Sequence, residues 1–430
     1  MGGGAAVAGP VDPDDRDEQN EIDRTQDVLS MFTPEQRDRI EIVAPLSDKI
    51  LELAGSTDDW HPGQERAVDG YLLTVLGDRT LDIFWKGELP PEVRDVIAQH
   101  PSVKVVVHDV PYDEDEYLSA QKLVVDRLIA DPPAGARYDA VLHAENRASL
   151  NFVLVGTMSD SDLADIEERI ASWISIPFTV EIVEEPTTVA LLGRQDDQSP
   201  WRGGAQIQII DNGGWCTTGF PVTMNSTGNK YVTTARHCIT TSTGTYIGSS
   251  GDVEDAAGDD LGIWKNSSAW NRAAYDVTLI KPDSGTIGAS VYNGGINSTT
   301  TVSLSGAKSS PDPGGFVWGS GANSGANTLE VVSKNTGYTV SGTAITGGHV
   351  LAKRTSSTDT AGAQGDSGGS VMRVVSGKNY GVGSLSAIPA AYLVTCPTLA
   401  HNDGSAKCAS RVYYTSLTGV LSSFDAEVGN

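Results

Sequence analysis

Residues 365–370 read Gly365-Asp366-Ser367-Gly368-Gly369-Ser370. A serine hydroxyl is a weak nucleophile until a neighbouring base takes its proton. The oxyanion formed by its attack needs fixed N–H donors. Glycines beside the serine let the backbone turn tightly and approach a carbonyl with no Cβ in the way. The pattern predicts Ser367 as nucleophile, with the N–H groups of Gly365 and Ser367 as oxyanion donors. Alone, the stretch also fits a plain glycine-rich turn, so its partners elsewhere in the chain decide.

Two other segments supply partners. Thr233-Thr234-Ala235-Arg236-His237-Cys238 ends a β-branched run with a histidine beside a cysteine, and a disulfide there would hold His237 as a general base. The remaining histidines, His61, His100, His108, His143, His349 and His401, read as ordinary residues. Tyr275-Asp276-Val277-Thr278-Leu279-Ile280 opens an apolar strand with a carboxylate. A buried aspartate needs a partner, and an imidazole N–H is one. That bond fixes the tautomer that leaves the other ring nitrogen free as base. Asp252, Asp255, Asp259, Asp260 and Asp283 sit in polar, loop-like settings and are weaker candidates.

At 430 residues the chain has room for two or three domains. No run approaches the roughly 18 apolar residues of a membrane helix, so no membrane partner is expected. A net charge of −26 argues against nucleic acid, which needs clustered Lys and Arg. The charge is uneven. Residues 1–200 hold 41 Asp+Glu and 16 Lys+Arg, whereas residues 201–430 hold 15 and 14. Of 47 glycines, 35 lie after position 200, as do all four cysteines.

Residues 1–30 read as an acidic flexible segment. Residues 31–188 read as α/β, with two related subdomains. LDIFWKG, PPEVRDVIAQH and SVKVVVHDV (81–110) repeat as LNFVLVG, SDSDLADIEERIASW and FTVEIVEE (150–185), each a strand, a helix and a strand. Leu163, Ile166, Ile170 and Trp173 fall at helical spacing, with Ser159 or Asp160 as cap. Residues 189–202 read as a linker. Residues 203–430 carry short β-branched runs between Gly, Ser and Asn clusters, the texture of an all-β sandwich or barrel.

Cys216, Cys238, Cys396 and Cys408 allow three disulfide pairings. Pairing 216 with 238 and 396 with 408 closes the short loops, and each bridge would stabilise by about 3 kcal/mol. Disulfides imply an oxidising compartment. Ala6-Val7-Ala8 resembles the small-residue end of a secretion signal, so a trimmed signal and a secreted protein are expected.

The order His237, Asp276, Ser367, within TARHC and GDSGGS, resembles the chymotrypsin-like serine peptidases over about residues 203–425. The long acidic leader resembles the secreted bacterial branch that includes alpha-lytic protease and the streptogrisins. The resemblance implies a chymotrypsin-like double antiparallel β-barrel after an α/β pro-region. It implies a triad of Ser367, His237 and Asp276, and protein or peptide substrates. It implies a pro-region that acts on its own enzyme in cis, aiding folding and blocking the site. A monomer without metal or cofactor is expected. Asp366 would be buried and paired with an internal arginine. Ala361, six residues before the nucleophile, and Ser384, Leu385 and Ser386 would line a primary pocket for a small or medium apolar side chain. Arg236 and Ser370 depart from the family pattern. They favour the alternative of a catalytically silent binding protein; an esterase using the same triad is a third reading.

Overall fold

The computed structural model describes residues 29, 31–55, 68–133, 135–143, 149–183, 188–189, 195–197, 199–283, 286–335, 337–400 and 406–429. The flexible segment expected over 1–30 lies outside the described residues apart from 29, as do linker residues 190–194 and 198.

The acidic half repeats one connection twice. Strands Tyr71–Gly77 and Thr80–Trp85 pair antiparallel, helix Pro91–Ala98 crosses over, and strand Lys104–Asp109 returns parallel to Thr80–Trp85. Strands Ala136–His143 and Leu150–Gly156, helix Asp160–Trp173 and strand Phe178–Val183 repeat that order and those directions. The second helix starts where its sequence says, with the Ser159 hydroxyl accepting from the Asp162 N–H at 3.2 Å. Ile166 and Ile170 are buried against Phe152 and Leu154 of the sheet. Helix Glu114–Ala130 joins the two units. Its start is capped reciprocally: Asp113 accepts the Glu116 N–H and Glu116 accepts the Asp113 N–H, each at 3.0 Å.

The described residues from 201 to 429 form two antiparallel β-barrels. The first barrel's sheet runs in the order Gly214–Thr217, Gln206–Ile209, Ser250–Asp255, Asp260–Lys265, Val277–Pro282, Lys230–Ala235, Pro221–Met224 and Ala426–Val428. Ile207, Ile209, Val232, Val253, Leu261, Trp264 and Ile280 fill it. In the second barrel Ser370–Val375, Phe316–Gly321, Gly325–Lys334, His349–Lys353, Arg411–Ser416 and Lys378–Pro389 pair in sequence. The last pairs back with the first, so the ring closes. Alternate positions of Phe316–Gly321 and its neighbours point Val317, Leu329, Val331, Val371 and Val412 inward.

The two halves share backbone and core. The hairpin Tyr338–Val340 and Thr343–Ile345 leaves the second barrel and adds to the acidic half's sheet, Tyr338 opposite Ala140. Strand residues Thr188 and Val189 pair antiparallel with Pro389 and Ile388. Asp312 of the second barrel is wholly buried among hydroxyls of the acidic half. Its Oδ2 accepts from Ser47 at 3.2 Å, from Tyr71 at 3.1 Å and from Thr74. Arg373 reaches Asp48 at 2.8 Å. Gly314 (φ 88°) lies so close to the Leu76 backbone that no Cβ would fit.

Candidate active site

The candidate site lies where the barrels meet. Strand Lys230–Ala235 is buried from Tyr231 onward and runs into a 3-10 turn, Arg236–Ile239, that carries His237. Cys238 bonds to Cys216, tying this turn to strand Gly214–Thr217. The second disulfide joins Cys396 to Cys408. Another 3-10 turn, Ala273–Tyr275, ends at Asp276 in the left-handed region (φ 50°, ψ 42°). That conformation is uncommon for a residue with a Cβ, and polar asparagine and aspartate tolerate it best. Here it aims the carboxylate at His237.

Asp276 holds His237 twice. The His237 backbone N–H donates to Oδ1 at 2.9 Å, and Nδ1 lies 2.7 Å from Oδ2. A carboxylate only accepts, so the ring proton sits on Nδ1 and Nε2 is left as acceptor. Nε2 is 2.7 Å from the Ser367 hydroxyl, which donates to it. All three side chains are buried. The structure thus brings together the three residues that the sequence singled out over a span of 130 positions.

The nucleophile loop is set by the first barrel. The Thr217 N–H donates to the Ser367 carbonyl at 2.8 Å, and the Thr217 hydroxyl donates to the Gly365 carbonyl. Gly365 has φ 107°. At Gly368 (φ 89°) a Cβ would collide with the Thr217 carbonyl and the Thr234 hydroxyl. Both positions need glycine.

Asp366 corrects one expectation. It is fully buried, but no arginine pairs with it among the described residues. Oδ1 accepts the N–H groups of Asn323 at 2.8 Å and Ser324 at 3.0 Å. Oδ2 accepts the Ala363 N–H at 2.9 Å and the Ser324 hydroxyl. Burial pushes its carboxyl above the usual range, and these four donors pull it back.

The four residues expected to line the primary pocket, Ala361, Ser384, Leu385 and Ser386, are all buried. Leu385 and Ala361 pack in the core of the second barrel. Ser384 donates to the Gly368 carbonyl at 2.9 Å, bracing the nucleophile loop. The Ser386 hydroxyl donates to Asp276 Oδ2 at 2.6 Å. The register of Lys378–Pro389 is the cause. Its pairing with Ser370–Val375 and Arg411–Ser416 turns Leu385 inward, and only the stretch from Ala387 to Pro389 continues past that bend. Ser386, expected only in the pocket, also holds the aspartate of the candidate site. Its position in a plain strand run carries no local signal.

Residues 193–394 match the family model described as Trypsin. This chain carries a trypsin-family domain. Three solved structures resemble it. One is a glutamic-acid-specific serine protease described as using a histidine triad in substrate binding (18% identity, 53% of this chain, 98% of that chain, TM-score 0.38). The second is Nocardiopsis protease (21%, 53% and 98%, TM-score 0.37). The third is Thermobifida fusca protease A (19%, 53% and 98%, TM-score 0.36). No curated protein matches the chain. The match supports a peptidase domain, a hydrolase of peptide bonds, over residues 193–394. No helix among the described residues is long and apolar enough to cross a membrane.

Proposed function

We propose that this chain is the zymogen of a secreted serine endopeptidase working through Ser367, His237 and Asp276. The observation that carries the reading is the unbroken relay from Ser367 Oγ to His237 Nε2 and from His237 Nδ1 to Asp276 Oδ2, 2.7 Å at each step.

Ser367 Oγ attacks the substrate carbonyl carbon while His237 Nε2 takes its proton. Asp276 stabilises the imidazolium. The Gly365 and Ser367 N–H groups receive the oxyanion. His237 then returns the proton to the leaving amine as the C–N bond breaks, leaving an acyl-enzyme. Water repeats the cycle and frees Ser367. Ala361, buried in the second barrel, carries no charge, which supports a small or medium apolar preference. Arg236 and Ser370 do not disturb the relay. Arg236 bonds to Tyr246, Thr343 and Gly244, and Ser370 donates to the Gly219 carbonyl at 2.7 Å. The motivation for a silent binding protein falls away with them.

Residues 31–188 act as the pro-region of residues 203–430, with processing within 189–202. Two contacts support this. Thr188 and Val189 add to the strand that follows Ser386, where an extended peptide substrate would pair. The shared sheet through Tyr338 and Ala140 gives the second barrel a template during folding. The two disulfides and the acidic leader suit a secreted monomer.

A serine-directed phosphonate should label Ser367 in the processed protein, casein should be cut, and Ser367→Ala should abolish both along with self-processing. An unlabelled, inert processed protein refutes the reading.

A further inference from the structure

Arg236 stands beside the base, where it departs from the family pattern, and it is buried. Its guanidinium reaches three separate places. Nε donates to the Tyr246 hydroxyl at 3.0 Å, Nη2 to the Gly244 carbonyl at 3.2 Å, and Nη1 to the Thr343 hydroxyl at 3.2 Å. It also lies over the Tyr246 ring, 4.6 Å from the centroid. All three acceptors are neutral. Its backbone N–H donates to the Asp276 carbonyl at 2.8 Å.

Thr343 belongs to the second barrel's hairpin, while Tyr246 and Gly244 belong to the first barrel's loop after His237. The same hairpin touches the aspartate turn. The N–H groups of Thr346 and Gly347 donate to the Ala274 carbonyl at 3.1 and 2.8 Å, and Tyr275 packs where a Gly347 Cβ would be. Its other strand carries Tyr338, whose phenol is held well above its usual range by burial and then by the charge of Asp276. One element of the second barrel therefore braces the turns bearing both His237 and Asp276, and Arg236 is the side chain that spans the gap.

We infer that Arg236 is a positioning residue for His237, clamping the histidine turn to the hairpin at Thr343 so that Nε2 keeps its line to Ser367. The inference rests on the proposed function. A planar fork is required, because one charged group must meet three acceptors in fixed directions. Lysine keeps the charge and loses the fork. Small displacements of a catalytic base cost rate far more than they cost substrate binding.

The test compares the processed protein, Arg236→Lys and Thr343→Val. Three readouts are used: kcat and KM on a peptide amide, the melting temperature, and the low-field NMR signal of the His237 Nδ1 proton. The expected result is a roughly tenfold loss of kcat in each variant with KM within about twofold. The Nδ1 signal should shift in both. Combining the changes should add little further loss beyond Arg236→Lys alone, since the bond that Thr343→Val removes is already broken in it. If the parent is labelled at Ser367 but both variants keep its kcat and signal, the positioning role is overturned. A change in melting temperature with kcat and signal unaltered overturns it too. If the parent itself is neither labelled nor active, the peptidase reading fails. The signal then decides alone: a shift in the variants upholds the clamp, and an unmoved signal removes it.

Discussion

The Ser386 hydroxyl lies 2.6 Å from Asp276 Oδ2, the same oxygen that faces His237 Nδ1 at 2.7 Å. The aspartate is thus held by three donors, counting the His237 backbone N–H on Oδ1. Removing one leaves a buried carboxylate short of a partner, a penalty of about 1–3 kcal/mol. Ser386→Ala should lower kcat/KM by about tenfold and lower the melting temperature, with Ser367 still labelled by a phosphonate. Unchanged kinetics would show that the bond is idle.

Asp276→Asn tests the tautomer argument. The amide presents an N–H where the carboxylate accepted, so the ring proton moves to Nε2 and the base is lost. The expected drop in kcat is about 10⁴ at neutral pH, with KM nearly constant. A drop below tenfold would contradict the assigned roles.

The two disulfides should differ in kind. Cys216–Cys238 anchors the histidine turn, whereas Cys396–Cys408 packs with Leu399 and Ala363 away from it. Each is expected to stabilise by about 3 kcal/mol. Replacing both cysteines of the first pair by serine should reduce stability and kcat together. Replacing the second pair should reduce stability and leave kcat within about threefold. Denaturant melts and steady-state rates read both.

Asp312 makes the joining of the halves depend on pH. Burial pushes its carboxyl up, with Lys334 only partly opposing. The joined state therefore holds the proton more tightly than a separated, solvated Asp312. Its contribution to association is full below the ordinary carboxylate range and is lost as pH rises through the elevated value. The cleaved complex should separate more readily at pH 7 than at pH 4.5, and Asp312→Asn should flatten the difference. Gel filtration of a Ser367→Ala chain cut within 190–194 by an added protease measures it. Tighter association at pH 7 would reverse the argument.

Ser367 and His237 were legible because each sits in a local pattern that its chemistry demands: glycines with positive φ around the serine, a disulfide beside the histidine. Asp276 was legible from the polar head of an apolar strand. The bond from Ser386 to Asp276 was not legible, because a hydroxyl in the run YGVGSLS is aimed by strand register, and register is fixed by the distant partners Ser370–Val375 and Arg411–Ser416. Asp366 was misassigned to an arginine for a similar reason, since its partners are backbone N–H groups at 323, 324 and 363. In the acidic half the strand-helix-strand runs at 81–110 and 150–185 were visible. The strands Tyr71–Gly77 and Ala136–His143, and the joining helix Glu114–Ala130, were not singled out. The hairpin crossing from the second barrel into the other half's sheet leaves no mark in local sequence at all.

Under the processing proposed above, that crossing has a cost for the part that remains. While the halves stay together, Tyr338–Val340 is an interior member of five strands. Departure of residues 1–188 would turn it into a bare rim, with unpaired amides and carbonyls facing water. Such a rim recruits like rims from other molecules. Enzyme liberated in that way would be exposed to clumping through this hairpin at high concentration, and dilution into the surroundings would be its simplest protection.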